Sequence, residues 1–457
     1  MTLIKSISGI RGTLGGHPGE NLTPLDVVHF VAAFGSLLHA GFDNPTVIIG
    51  RDARPSGVWI SALSVQIIRN MGVNVVDLGL TTTPTLEMAV IESGASGGIM
   101  ITASHNPAEW NALKFIDENG DCISEEKNEQ LLLAAEHKKF QFRRVQGGYQ
   151  KNESAIVRHV NQVLDLDLID HHLIASKEFI IVLDSVNSSG ALAIPPLLER
   201  LGCQVHIINE DVSGDFAHDP EPLPENLIQL SDAVRMQNAD LGVAVDPDVD
   251  RLAIVMENGI MFGEEYTLVA VADYVLRHTP GPAVSNLSST QALKIVAERH
   301  GCSYYPAPVG EVNVVRKMKE VHAVIGGEGN GGIIYPELHY GRDALVGLGL
   351  FLSLLARSDL TVSELRKQYP DFTISKRKVP VSVNISPDTI LNMIQREYAD
   401  HELNVDDGLK VWFGHEWVHL RKSNTEPVLR IYAESDSAQN ADKLAQKFID
   451  KIQSYAK

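Results

Sequence analysis

Short apolar runs, each followed by a stretch with apolar residues at helical spacing, recur along most of this chain and restrict it to layered α/β folds. Pro45–Gly50, Val73–Leu80 and Gly98–Ala103 come first, with Trp59–Met71 reading as a helix between them. The rhythm restarts with Phe179–Asp184, Gln204–Asn209 and Ala239–Val245, then returns around His322–Ile325 ahead of a helix over Asp343–Ala356. Runs this short and this continuously apolar describe strands covered on both faces, and open α/β sheets hold ligands at strand ends. The triplet Gly50-Arg51-Asp52 recurs as Gly341-Arg342-Asp343, which fits duplicated α/β units. The tail differs. Leu409–Leu420 and Val428–Glu434 read as strands around a polar turn, and Ala441, Leu444, Ala445, Phe448, Ile449 and Ile452 share one face of a final helix. That is an α+β composition, expected to form a separate small domain. Polar stretches at Gly147–Ser154 and Arg366–Lys376 are the candidate linkers.

A chain of 457 residues exceeds the usual span of one hydrophobic core, so two to four domains are expected. Its 58 acidic and 39 basic side chains leave a net charge of −19, which argues against a broad nucleic-acid or anionic-membrane surface. A small anionic substrate is compatible with that balance, because a few local Arg and Lys residues suffice for one phosphate. Cys122, Cys203 and Cys302 are far apart and lack metal-ligand spacing, as in proteins of a reducing compartment. The opening MTLIKSISGIRGT lacks the long apolar core of a signal peptide. The most apolar run, Leu345–Ala356, is too short to cross a bilayer and reads as a buried helix. The expectation is a cytoplasmic protein without nucleic-acid or membrane partners; monomer and homodimer both fit.

Four loops carry residues suited to chemistry. Asp246-Pro247-Asp248-Val249-Asp250-Arg251 lies between the apolar runs Leu241–Val245 and Leu252–Met256. Alternate carboxylates between buried strands need a compensating cation, and oxygen donors suit Mg²⁺; solvated carboxylates on a polar turn are the alternative. Thr102-Ala103-Ser104-His105-Asn106-Pro107 follows an apolar strand that Pro107 prevents from continuing. Ser104 can there be a nucleophile, a phosphate ligand or a helix cap, and His105 need not be its base. Gly326-Gly327-Glu328-Gly329-Asn330-Gly331-Gly332 permits close backbone approach to a ligand, with Glu328 and Asn330 able to bond hydroxyls, though a flexible turn would look alike. Arg421-Lys422-Ser423-Asn424-Thr425-Glu426-Pro427 combines cations and hydroxyls, either as a phosphate clamp or as a charged surface turn.

Taken in chain order, the four loops resemble those of the α-D-phosphohexomutase superfamily, and the match covers essentially the whole chain. Ser8-Gly9-Ile10-Arg11-Gly12-Thr13 resembles that family's opening phosphate-contacting segment, and Lys114, in Asn111-Ala112-Leu113-Lys114, matches a basic active-site position. The resemblance implies a four-domain, heart-shaped architecture: three related α/β domains (1–150, 151–250 and 251–370) and a smaller α+β C-terminal domain (371–457). It implies Mg²⁺ bound by Asp246, Asp248, Asp250 and a phosphate on Ser104. Arg11, Lys114 and Arg251 would act beside Ser104 in catalysis. His105, Glu328, Asn330, Arg421, Ser423, Asn424, Thr425 and Arg430 would bind substrate. Two departures stand out: Asn330 replaces the more frequent Ser, and Lys422 and Asn424 replace Pro and Gly. Asn tolerates left-handed backbone better than most residues, so Asn424 in place of Gly is conservative.

What the resemblance implies is phosphoryl transfer from phosphorylated Ser104 to a sugar oxygen, giving a bisphosphate that returns its other phosphate to Ser104. A hexose 1,6-bisphosphate would be the activator. The Glu-Gly-Asn-Gly-Gly loop resembles a branch holding archaeal-type phosphoglucosamine mutases, so interconversion of glucosamine 6-phosphate and glucosamine 1-phosphate is the first expectation. Phosphomannomutase/phosphoglucomutase activity is the alternative, and a non-catalytic phosphosugar-binding protein is the different-class alternative.

Overall fold

The computed structural model describes residues 2–380, 385–422 and 428–455. Its strands form four sheets. The first contains β1 (Ile4–Ser6), β2 (Gly9–Thr13), β3 (Thr46–Arg51), β4 (Asn74–Leu80), β5 (Gly97–Ile101), β6 (Trp110–Ile116) and β7 (Tyr149–Lys151). The second contains β8 (Ile180–Asp184), β9 (Gln204–Ile208), β10 (Leu241–Val245) and β11 (Leu252–Met256). The third contains β12 (Ala283–Asn286), β13 (Tyr304–Ala307), β14 (Ile325–Glu328) and β15 (Gly332–Ile334). The last contains β16 (Thr373–Pro380), β17 (Leu403–Asn404), β18 (Leu409–Phe413), β19 (Glu416–Lys422) and β20 (Val428–Ser435).

One topology occurs three times. The strand orders β6-β5-β3-β4, β11-β10-β8-β9 and β15-β14-β12-β13 are the same pattern, with three parallel strands and an antiparallel fourth at one side. The turn joining the third and fourth strands is therefore an equivalent place in each repeat. These turns contain Ser104, the Asp246–Arg251 segment and the Glu328–Gly331 segment. The duplication expected from the sequence is present, but the Gly-Arg-Asp triplets do not mark it. Gly50-Arg51 ends the first strand of its repeat, whereas Gly341–Asp343 follows the fourth strand of the third.

Burial explains why the strands were legible. Every residue of β5, β10 and β11 is buried, so each reads as an unbroken apolar run. Helix Ala344–Ser358, with Leu345–Ala356 inside it, packs with helix Glu264–His278 into one core shared by the second and third repeats. Among the described residues one helix, Pro24–Gly41, is long and apolar enough by composition to cross a membrane; half of it is buried, and Val27, Phe30, Val31 and Phe34 belong to the first repeat's core. The last sheet has a core of its own, closed by Ala445, Phe448 and Ile452 of helix Ala438–Tyr455.

Several sequence expectations need correction. Strand β14 begins at Ile325, because His322 ends the preceding helix in a left-handed conformation (φ 51°). Leu409–Leu420 is two strands rather than one: β18 and β19 pair across the turn Gly414-His415, with Gly414 at φ 72°. Left-handed backbone at such a two-residue turn favours glycine. Gly147–Ser154 is not wholly a linker, since β7 adds to the sheet edge beside β4, and Arg366–Lys376 contains the start of β16.

Candidate active site

Ser104 follows β5 in a left-handed conformation, φ 49°, which costs a non-glycine residue roughly 1–2 kcal/mol. The surrounding bonds hold it there. Its N–H donates to Thr102 Oγ1 at 2.9 Å, and Thr102 Oγ1 donates to Asp52 Oδ2 at 2.6 Å. Arg54, fully buried, donates to the carbonyls of Ser104 (2.6 Å), Pro107 (2.6 Å) and Trp110 (2.9 Å) and also to that of Asn106. Its Nε completes the network on Asp52 Oδ2 at 3.1 Å. One guanidinium thus fixes the whole turn. Ser104 caps no helix; its hydroxyl donates to Asp246 Oδ2 at 2.7 Å, with His105 Nδ1 at 3.2 Å on its other side.

The carboxylates of Asp246, Asp248 and Asp250 are buried and offer one oxygen each within 4.8 Å of one another. Asp246 Oδ1 accepts the N–H groups of Asp250 and Arg251, both at 3.1 Å. Asp248 Oδ2 accepts Lys114 Nζ at 2.7 Å and Thr83 Oγ1 at 2.6 Å. Asp250 Oδ2 accepts Arg342 Nη2 at 2.6 Å, with Lys114 Nζ at 3.6 Å. Asp248 Oδ1 and Asp250 Oδ1 are buried without a hydrogen-bond partner. Two orphaned anionic oxygens in one place are costly unless a cation meets them, and an all-oxygen donor set fits Mg²⁺.

Electrostatics divide these carboxylates. Burial, then the charges of Asp250 and Asp248, raises the Asp246 carboxyl well above its ordinary range. Burial also opposes the charge on Asp248, but Lys114 and the hydroxyl of Thr83 outweigh it and hold this carboxyl low. Lys114 gains correspondingly: Asp248 and Asp250 overcome its burial and keep it charged. Burial, reinforced by Arg251 and Arg342, pushes His105 down to about 2, so the imidazole beside Ser104 is neutral. Arg11, on β2, is lowered by burial and by the same two guanidinium groups, which places it in the same cationic field. Arg251 lies 3.6 Å from Glu221 Oε1 and 3.9 Å from Asp250 Oδ1.

The third turn adjoins the second. Leu252 N–H donates to Gly331 O at 3.0 Å, and a Cβ on Gly331 would come within 2.3 Å of Leu252 O. Glu328 Oε1 accepts Asn286 Nδ2 at 2.9 Å and Gly310 N–H at 3.2 Å, while Arg342 Nη1 reaches Oε2 at 3.0 Å. Asn330 Oδ1 accepts Gly332 N–H at 3.1 Å. Arg421 lies on the last sheet, where Arg421 pairs with Arg430 and Arg430 with Lys378, a row of cations across three strands. Arg421 Nε is 2.7 Å from Asp407 Oδ2, in a geometry poor for a hydrogen bond, and the same oxygen accepts Val309 N–H at 2.9 Å. Ser423, Asn424 and Thr425 lie outside the described residues.

A second convergent group, His159, His339 and Asp343, is also buried. Gly341 N–H donates to His339 Nδ1 at 3.0 Å, so the ring proton is on Nε2, facing Asp343 Oδ2 at 3.3 Å. That nitrogen has no lone pair for a metal, and the group is a hydrogen-bonded cluster. Sequence reasoning missed four residues of the centre: Asp52, Arg54, Thr83 and Arg342. Two of them stood inside the repeated Gly-Arg-Asp triplets, where charge beside a strand end was the available signal.

Four domain profiles of the phosphoglucomutase/phosphomannomutase family match in order. The alpha/beta/alpha domains I, II and III cover residues 3–142, 157–259 and 263–372, and the C-terminal domain covers 380–451. A phosphoglucomutase/phosphomannomutase of Thermococcus kodakarensis is 32% identical over 438 residues, 94% of this chain and 95% of that protein. A phosphoglucosamine/phosphogalactosamine mutase of Sulfurisphaera tokodaii is 30% identical over 445 residues, covering 95% and 96%. The crystal structure of a phosphoglucomutase/phosphomannomutase family protein from Burkholderia thailandensis superposes with a TM-score of 0.85 at 24% identity, covering 99% and 98% of the two chains. With four domains, three larger α/β units and a smaller α+β one, the chain belongs to the phosphoglucomutase/phosphomannomutase family of the α-D-phosphohexomutases and is a phosphosugar mutase of that class.

Proposed function

We propose that this chain interconverts the 1- and 6-phosphates of glucose and mannose, carrying the phosphoryl group on Ser104. The observation that carries the reading is the Ser104 hydroxyl, 2.7 Å from a buried three-aspartate cluster and within a field of cations. In the forward step the bond between phosphorus and Ser104 Oγ breaks as a sugar hydroxyl oxygen bonds the phosphorus, and the hydroxyl proton passes to the departing Ser104 Oγ. In the return step Ser104 Oγ bonds the phosphorus of the other phosphoryl group as that phosphorus breaks its bond to the sugar oxygen, and the serine proton ends on the released sugar oxygen. Asp246, Asp248, Asp250 and the phosphorylated Ser104 would hold Mg²⁺, which supplies charge neutralisation to the transferring group. Arg11, Lys114 and Arg251 add fixed positive charge, and neutral His105 contributes a hydrogen bond to the phosphate. A hexose 1,6-bisphosphate would load Ser104 at the start.

Glu328 and Asn330 would bond sugar hydroxyls, with Arg421, Ser423, Asn424, Thr425 and Arg430 on the distal phosphate. Adjacent like charges across a sheet are unfavourable, so the Arg421–Arg430 pair supports an anion beside it. Glucosamine phosphate is the second reading, favoured by relatives such as the Sulfurisphaera enzyme. The neutral hexoses are preferred because both Glu328 oxygens already accept hydrogen bonds, Oε2 from Arg342 and Oε1 from Asn286 and Gly310, which leaves less of the carboxylate for an ammonium group. Comparing kcat/KM for glucose, mannose and glucosamine 1-phosphates tests the choice; a strong preference for the amino sugar would reverse it. The thiols of Cys122, Cys203 and Cys302 are all free, which supports a cytoplasmic setting.

A further inference from the structure

We propose that Arg342 is a positioning residue that couples the sugar-binding turn to the metal-binding turn, so that Glu328 and Asp250 share one guanidinium. The proposal rests on the metal and sugar roles given above. Arg342 Nη2 donates to Asp250 Oδ2 at 2.6 Å and Nη1 to Glu328 Oε2 at 3.0 Å. A planar fork can hold two carboxylates in fixed relative positions, which a single ammonium cannot.

Everything around this side chain restricts it to the bridge. Its own N–H donates to Glu311 Oε1 at 3.0 Å, and Glu311 Oε2 lies 3.4 Å from Nε. Gly332 leaves room for its stem; a Cβ there would stand 2.4 Å from Arg342 Cδ. The next residue is anchored on every side. Asp343 Oδ1 accepts Leu345 N–H at 2.8 Å, capping helix Ala344–Ser358, and Oδ2 accepts His159 Nε2 at 2.9 Å and His339 Nε2 at 3.3 Å. His159 is tied in turn to Thr85 at 2.9 Å, in the helix whose Thr83 bonds Asp248. The buried histidine cluster thus fixes the backbone from which Arg342 reaches both carboxylates.

The bridge has a directional consequence. Arg342 competes with a divalent ion for Asp250, and Glu328 draws part of its charge away. Removing Glu328 leaves the guanidinium to Asp250 and Glu311 alone and weakens metal binding; removing Arg342 strengthens it and severs the connection.

The test is Mn²⁺ affinity, followed by electron paramagnetic resonance without substrate, in the wild-type chain, Glu328→Gln, Arg342→Met and the double variant. Glu328→Gln is expected to weaken Mn²⁺ binding about threefold or more, and Arg342→Met to tighten it about tenfold. In the Arg342→Met background, Glu328→Gln is expected to have no effect, the non-additivity of groups in contact. An unchanged Mn²⁺ affinity in Glu328→Gln alone overturns the proposal, as does an equal effect of Glu328→Gln in both backgrounds. Should Arg342→Met not fold, Arg342→Gln carries the same arm, because a neutral side chain has no charge for the two carboxylates to share and must also abolish the effect of Glu328→Gln. The readout needs no turnover. A chain that converts no phosphosugar yet shows this coupling would refute the proposed reaction, not the bridge.

Discussion

Ser104 Oγ and Asp246 Oδ2, 142 positions apart in sequence, are joined by a 2.7 Å hydrogen bond. The bond links equivalent turns of two structural repeats. Under the proposed function it sets the oxygen that would accept the phosphoryl group against the carboxylates that would hold Mg²⁺. Substituting Asp246 by Asn keeps the shape and removes an anionic ligand. Mutase turnover is expected to fall at least about 100-fold, and the rise in melting temperature on adding Mg²⁺ to disappear. Near-normal turnover with an intact Mg²⁺ response would contradict the assignment.

Arg54 makes a different prediction, because it touches no reacting group. Its guanidinium bonds four carbonyls of the 104–110 turn and Asp52 while wholly buried. Arg54→Lys retains charge but cannot reach these acceptors together. A loss of about 2–4 kcal/mol in urea unfolding is expected, with slower phosphorylation of Ser104 in the fraction that folds. Unchanged stability would show that the turn holds itself.

Gly331 is the contact between the second and third turns. At φ 82°, with Leu252 O 2.3 Å from any added Cβ, Gly331→Ala must shift backbone rather than a flexible side chain. A stability loss of about 2 kcal/mol and a raised KM for phosphosugar are expected. An alanine variant with wild-type KM would argue against close docking of these turns.

The strands and the two polar turns were legible because buried strands write continuous apolar runs, and the residues that break them stand out. Ser104 and Asp246–Arg251 are such breaks. The triple repetition was not legible, since it lies in the order of strand pairing, and the Gly-Arg-Asp triplets fall at unlike places in it. Nor could local sequence reveal Arg342, whose partner Asp250 is 92 positions away, or Arg54, 50 positions from Ser104. A charge in a repeated Gly-Arg-Asp triplet is the only local mark of Arg342; the partners of both arginines come only with the fold. Gly414-His415 is the local signal that splits Leu409–Leu420 into two strands.

A half-buried carboxyl at the start of helix Glu264–His278 predicts how stability changes with pH. Burial pushes Glu265 up to about 8, where it accepts Thr290 N–H at 2.9 Å. The folded protein therefore keeps a proton that the unfolded chain loses near pH 4.3. This contribution is fully present below the unfolded value and is lost as pH rises towards 8, with a slope of about 1 kcal/mol per pH unit. Glu265→Gln should flatten the fall in urea-unfolding free energy between pH 5 and 8. Parallel profiles for the two proteins would assign the pH dependence to other groups.

The central claim is that Ser104 carries the phosphoryl group. Intact-mass measurement and peptide mapping after incubation with Mg²⁺ and a hexose 1,6-bisphosphate test it most directly. The account predicts one phosphoryl group on Ser104 in the wild-type chain, none in Ser104→Ala, and loss of the group when hexose monophosphate is added. A Ser104→Ala chain that takes up phosphate equally, or retains full mutase turnover, would contradict it.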